Sequence, residues 1–371
     1  MRHLSRWVST LPLLCALAAV LVSAPLAATE TITLLDKGEP YDAMTAEGGV
    51  FWVAHSRRQF NTDYRLEAWS PAGELLASAR FPHSLNILKT LPTGGVMVTG
   101  INPNTRLTQY THAQLSGRSI TLRTTTIELG GFITFWIGQI GSRHWFVDQG
   151  GNPNDTDIVN AAQTIFSASP NRARYLSTRV RMPVDGHVDG ENLWLISSAG
   201  IGSSSAKVVV VNTRTEGQSE LHASSSAGYS MMEVLPGGRE IALNARFENK
   251  VVVLNKTNGQ ITKEFPTGGY TRSIAQVGHC ILAGNDESNT VEAFDLREGA
   301  AVQAIATAQI KLSADEFSGI KRIAVDQGSG TVFARAAVAC NPVIDVCDKD
   351  RNRIVSLGEE FAALIRASCG R

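Results

Sequence analysis

The sequence predicts an all-β chain folded as a seven-bladed β-propeller, its last blade closed by the N-terminal strand. Three observations carry that prediction. A strand motif recurs about every 40 residues, each recurrence sits in a four-strand unit with Gly-rich turns, and an N-terminal strand without a local partner matches an outer strand missing from the last unit.

The recurrence is clearest in the second half. Lys207-Val208-Val209-Val210-Val211-Asn212 returns as Lys250-Val251-Val252-Val253-Leu254-Asn255 and again as Thr290-Val291-Glu292-Ala293-Phe294-Asp295, with spacings of 43 and 40 between the closing Asn/Asp positions. β-Branched runs of about six residues that end in Thr/Asn/Gly turns are strands entering hairpins. The same phase reaches Arg65–Ser70, Leu107–Thr111, Thr164–Ser169 and Arg353–Leu357, which makes seven slots. The slot at Thr164 falls late because a polar stretch, Asn152–Gln163, precedes it.

Each slot belongs to a four-strand unit. In the fifth unit the strands are Ser230–Leu235, Glu240–Arg246, Lys250–Asn255 and Gln260–Phe265, with Pro236-Gly237-Gly238 as the first turn. The seventh unit supplies only Gly319–Val325, Thr331–Val338 and Asn352–Gly358. Thr31–Leu35 is expected to pair there, which closes the ring and removes an exposed strand edge. One helix is expected, over Glu359–Ser368.

Residues from about 205 to 300 resemble the bacterial YVTN-type β-propeller repeat. The resemblance rests on Val251-Val252-Val253-Leu254-Asn255, the turn Thr257-Asn258-Gly259, and Phe265-Pro266-Thr267-Gly268-Gly269; Ile281-Leu282-Ala283-Gly284-Asn285 stands where the eponymous tetrapeptide would be. It covers about two blades well. It implies a surface or periplasmic binding protein, with lactonases and redox enzymes among related propellers, and so speaks to fold more than to activity.

Composition agrees with a folded, exported chain. Of 371 residues, 43% are apolar and 18% charged, which is globular rather than disordered. Residues 1–28 are expected to be a signal peptide: Arg2 and Arg6, an apolar run from Leu11 to Val22, and small residues up to Ala28. That run is shorter than the ~20 residues of a membrane span, so the mature chain is expected not to span a membrane, and residues 29–371 to form one propeller domain. Removal of the signal leaves 32 basic against 34 acidic residues, a balance that gives no reason to expect nucleic acid as partner. Four cysteines remain. Cys340 and Cys347 flank a short Pro-containing loop and are expected to pair, which leaves Cys280 with Cys369, in an oxidising periplasmic or secreted setting.

Candidate sites come from aligning the loops that enter each innermost strand. Tyr41, His83, Phe132, His187, Tyr229 and Tyr270 occupy equivalent slots, with Arg272 and Arg322 just behind, and together they are expected to line the channel mouth as a ligand pocket. Arg272 and Arg322 suit a carboxylate or phosphate. The competing reading is that these side chains only plug the hub. His83 and His187 lack a third imidazole in register, so ordinary hydrogen bonding is a better account of them than metal. Asp148, Asn152, Asn154, Asp155 and Asp157 are rich in the oxygen ligands Ca²⁺ takes, as are Asp345, Asp348, Asp350 and Asn352; tight-turn chemistry explains both stretches without metal. Catalytic signatures such as G-x-S-x-G or H-E-x-x-H are absent from the sequence, and Asp185 with Asp189 is a paired-carboxylate candidate of unknown geometry. The expected function is a non-catalytic binding or scaffolding module for a protein or a small ligand, with no established cofactor. The alternative is a propeller enzyme, lactonase-like or dehydrogenase-subunit-like, that uses a pocket at the channel mouth.

Overall fold

A computed structural model of the chain describes residues 27–28, 32–36, 41–55, 64–85, 87–91, 93–130, 134–148, 164–169, 172–177, 183–197, 205–310, 318–338, 340–341, 346–347 and 352–370. The seven recurrent slots all become the third strand of an antiparallel sheet: Arg65–Trp69, Leu107–Ser116, Thr164–Ser169, Ala206–Asn212, Lys250–Asn255, Thr290–Asp295 and Asn352–Ser356. The reason is physical. In Ala206–Asn212 and Lys250–Asn255 the third strand is largely covered on both faces and reads as a continuous β-branched run; Val208, Val211 and Val251 to Leu254 are almost wholly covered. The Asn or Asp that closes the motif builds the next turn. Asn212 Oδ1 accepts from the backbone N–H of Arg214 (3.0 Å) and Thr215 (2.9 Å). Asn255 does the same for Thr257 (2.8 Å), and Asp295 for Arg297 (2.9 Å).

Among the described residues six sheets have four strands, one has five and one has two, where the sequence period predicts seven units alike. The extra strand is Ala27–Ala28, which runs parallel to Ala306–Gln309. The sheet over Ser318–Val325, Val332–Val338 and Asn352–Ser356 takes Ile32–Asp36 as its outer strand, antiparallel, with Ile32 opposite Ser356. A two-stranded ribbon sets Cys340 directly opposite Cys347.

The first strand of each sheet lies innermost. These inner strands are Tyr41–Glu47, Ile87–Thr90, Thr134–Ile140, Pro183–Asp189, Tyr229–Val234, Thr271–Val277 and Ser318–Val325. Each touches the next, and the last touches the first. The first and last sheets also share a core of Met44, Phe51, Val53, Phe333 and Ile354, in which the Phe51 and Phe333 rings stack at 4.4 Å. Polar side chains tie neighbouring sheets together. Asn244 Oδ1 accepts from the N–H of Met231 (2.7 Å) while its Nδ2 donates to Thr271 O (3.1 Å). Ser273 Oγ accepts from Ile323 N–H (3.0 Å), and Asp326 Oδ1 from Gly49 N–H (2.9 Å). Gly100 sits where two backbone segments come close: a Cβ there would lie 1.7 Å from Ser84 O.

The helix spans Gly358–Cys369 and buries Phe361, Ala362, Ile365 and Cys369, an i, i+4, i+8 stripe. Cys369 is bonded to Cys280, with Cα atoms 5.3 Å apart, and His279 Nε2 meets Ser368 O at 2.9 Å.

Candidate functional site

All but one of the inner strands are irregular. Their pairing with the second strand shifts register between Tyr41 and Ala43, Trp136 and Gly138, Pro183 and Asp185, Tyr229 and Met232, Thr271 and Ser273, and Ile320 and Arg322. Only Ile87–Thr90 pairs without a shift. A β-bulge bends a strand and re-aims the side chains after it. Here Asp185 and Arg322 are the first residues beyond their bulges, and both reach the axis of the ring.

Around that axis lies a channel of about 480 Å³, within the size range of small-molecule sites. Every inner strand contributes to its wall, which mixes apolar residues such as Trp136, Met231 and Ile274 with Gln139, Gln276 and Gln327. Its ionisable residues are Lys89, Asp185, His187, Glu233 and Arg322.

Asp185 is the anchor of this set. Its Oδ1 accepts from Lys89 Nζ at 2.6 Å and from Gly186 N–H at 2.8 Å; its Oδ2 accepts from Met232 N–H of the next sheet at 3.0 Å. Lys89 also donates to Gly186 O at 3.1 Å. Glu233 is affected first by burial, which pushes its carboxyl up to about 7; the charge of Asp185 adds to this, and Lys89 and Arg322 oppose it. Burial likewise lowers the Arg322 guanidinium, against the pull of Asp185 and Glu233. The nearest acceptor shown for Arg322 is a thioether: Nη1 donates to Met231 Sδ at 3.5 Å. His187 is pulled down by burial and then by the charges of Lys89 and Lys256, against the opposing charges of Asp189 and Asp185.

The eight side chains expected at the channel mouth part company. His187 and Arg322 line the channel. His83 does not: it is fully buried between sheets, with Nε2 2.7 Å from Thr111 Oγ1 and Nδ1 2.8 Å from Ser84 O, and burial drops it to about 4. Tyr229 is also buried, its hydroxyl 3.0 Å from His222 Nε2, and burial followed by the charges of Glu248 and Glu264 raises its phenol. Tyr270 lies under two cations, with the Arg246 and Arg272 guanidinium carbons each 5.1 Å from its ring centre. Arg272 is buried and paired with Asp286 at 3.0 Å. Tyr41 starts the first inner strand, and its side chain lies outside the described residues, as does Phe132. Of the calcium candidates, Asn152, Asn154, Asp155 and Asp157 lie outside the described residues, and of Asp148 only the backbone is described, at a strand end. Among the described residues no group of three or more His, Cys, Asp or Glu is placed to hold a metal. Asp189 faces Lys256 rather than Asp185.

Lys89 and Glu233 escape a reading based on strand-entering loops because they stand in mid-strand. The signal was present: Ile87-Leu88-Lys89-Thr90 and Met231-Met232-Glu233-Val234 each carry one charge inside an apolar inner strand, the position most costly for a charge without a purpose.

No family model matches the chain, and no curated protein matches it. Solved structures do. The RRP9 WD40 repeats superpose with a TM-score of 0.62 at 10% identity, covering 90% of this chain and 98% of that one. The chain is a β-propeller. Hydrazine synthase of Kuenenia stuttgartiensis aligns at a TM-score of 0.58 and 12% identity, over 83% of this chain and 97% of that one. The Cps50 (Swd1) β-propeller domain of Myceliophteria thermophila aligns at 0.58 and 10%, over 88% and 98%. At such identities the likeness concerns the propeller's fold. No helix among the described residues is long and apolar enough to cross a membrane.

Proposed function

We propose that the chain is an exported, non-catalytic binding propeller that seats its ligand in the hub channel. One observation carries the reading: rigid strands from every sheet bring Lys89, Asp185, Glu233 and Arg322 together in one channel whose wall is part apolar. Placing several charges there is costly for stability alone, whereas fixed polar groups in a mostly preformed cavity are what recognition needs. On this reading each sheet is one of seven blades, and Ile32–Asp36 completes the last of them, so the ring is held by a strand from near the start of the chain. Export is supported by the N-terminal signal pattern and by the Cys280–Cys369 bond. We extend the proposal to a kinship with the YVTN-type repeat, which the Val251–Asn255 and Phe265–Gly269 motifs support. WD40-like structural neighbours lend support to a binding or scaffolding role.

The test is thermal unfolding of the mature chain with and without a low-molecular-weight extract of its native compartment, beside Thr45→Trp. Thr45 lines the channel, and an indole there obstructs it. A ligand of the folded state raises Tm by mass action. A rise is expected in the natural chain and none in Thr45→Trp. A rise of equal size in both moves the site away from the hub, and no rise in either overturns small-ligand binding.

A further inference from the structure

The hub is unevenly neutralised. Lys89 is matched directly by Asp185 at 2.6 Å, and Asp185 also accepts from two backbone N–H groups. Arg322 feels Asp185 and Glu233 through space, but among the described residues no carboxylate lies within ion-pair distance of it, and Met231 sulfur is its nearest acceptor at 3.5 Å. A thioether is a weak acceptor, and a guanidinium carries five donors in a fixed planar fork. That fork matches a carboxylate, which takes two parallel hydrogen bonds from it. Charge points the same way. Two basic residues, Lys89 and Arg322, face two acidic ones, Asp185 and Glu233, and burial pushes the Glu233 carboxyl up to about 7, so that it offsets the bases only in part at neutral pH. The remaining wall is apolar or amide: Trp136, Met231 and Ile274 with Gln139, Gln276 and Gln327. A group with one negative charge and an apolar body fits both features.

We propose, building on the hub as the ligand site, that the ligand is a small organic carboxylate whose anionic end docks on Arg322. Binding brings a negative charge toward Glu233, which favours the protonated form of that carboxyl. Affinity therefore rises as pH falls from 8 to 6. The other ionisable groups facing the channel, from every inner strand, are Lys89, Asp185, His187 and Arg322; burial, then the charges of Lys89 and Lys256, lower the His187 imidazole.

The experiment is isothermal titration of the mature chain with sodium acetate, succinate, benzoate and phenylacetate, each beside its neutral amide, at pH 6, 7 and 8. At least one carboxylate is expected to bind, with its amide at least tenfold weaker. Arg322→Gln is expected to lose at least tenfold, and Glu233→Gln to flatten the rise in affinity toward pH 6. Should Arg322→Gln fail to fold, the carboxylate-to-amide ratio and the Glu233→Gln pH profile decide the matter. Binding of no carboxylate, or full affinity in folded Arg322→Gln, overturns the proposal. Amides that bind as well as acids, and that Thr45→Trp excludes, sink the carboxylate while leaving the hub as the site. Carboxylates that bind Thr45→Trp undiminished sink both.

Discussion

Truncating Asp185 to Ala removes more than one charge. It deletes the acceptor for Lys89 Nζ, for Gly186 N–H and for Met232 N–H, the last belonging to the neighbouring sheet. Breaking a buried ion pair by deleting one partner typically costs about 3–5 kcal/mol, because the other charge is left uncompensated. Lys89 retains 24% exposure of its side chain, so water recovers part of that cost, and about 2–4 kcal/mol is expected for Asp185→Ala. Lys89→Met leaves Asp185 with its two backbone donors, so it should cost only about 1–2 kcal/mol. The double variant should be less destabilised than the sum of the two, by about 1 kcal/mol or more, since the partners are in contact. The assay is urea unfolding followed by tryptophan fluorescence, with ΔG from linear extrapolation at a shared slope. An Asp185→Ala loss below about 1 kcal/mol, or strict additivity in the cycle, would refute the view that this carboxylate locks three sheets together at the hub.

Other outcomes follow from the same structure. The channel Glu233, raised to about 7 by burial and then by Asp185, binds a proton more tightly folded than unfolded, so its contribution to stability falls as pH rises from about 4.5 through 7; Glu233→Gln should be more stable than the natural chain at pH 8 and lose that advantage at pH 5, read from urea midpoints. Glu67 behaves oppositely. Burial raises its carboxyl, but the hydrogen bond and charge of His55, the charge of Arg65 and the Trp69 N–H together outweigh burial and lower it, so its stabilisation is present above pH 4.5 and is lost as pH falls through the depressed folded value, a slope that Glu67→Gln should remove. The Cys280–Cys369 bond spans 89 residues, and chain-entropy reasoning gives about 4–5 kcal/mol for such a loop; Cys280→Ser with Cys369→Ser should lower the unfolding midpoint accordingly and free the helix over Gly358–Cys369 to exchange amide protons faster. Gly100→Ala should cost about 2 kcal/mol or more in urea unfolding, because its methyl would meet the Ser84 carbonyl; a neutral outcome would show that the two segments can spread.

Third strands were legible because burial on both faces leaves an uninterrupted β-branched run, as in Lys250–Asn255, and because their closing Asn or Asp is fixed by the turn it builds. The helix over Gly358–Cys369 was legible because Phe361, Ile365 and Cys369 keep a four-residue spacing, and those are the residues it buries. Inner strands were harder. Bulges break their alternation, so the sequence pattern around Asp185 or Arg322 gives no clean facing rule. This explains the uneven reading of the site. Aromatic and His residues at strand starts suggested a channel lining, yet His83 and Tyr229 turn between sheets, where they find Thr111 and His222. His187 and Arg322 reach the channel itself. Charges in mid-strand, Lys89 and Glu233, become visible as a set only when the inner strands of different sheets are brought around one axis. The fifth strand of one sheet, Ala27–Ala28, is short and parallel; it falls on the last residues of the expected signal peptide, so on the proposed export the mature chain would lack it.

Occupancy of the hub in the native chain is the decisive quantity. Native mass spectrometry of the mature protein, isolated gently from its own compartment, measures it even while the ligand is unidentified. The natural chain is predicted to carry a mass excess of a small organic acid that is lost on mild activation and absent from Thr45→Trp. Masses equal to those of the bare polypeptides in both proteins would contradict the assignment of the channel as a binding site.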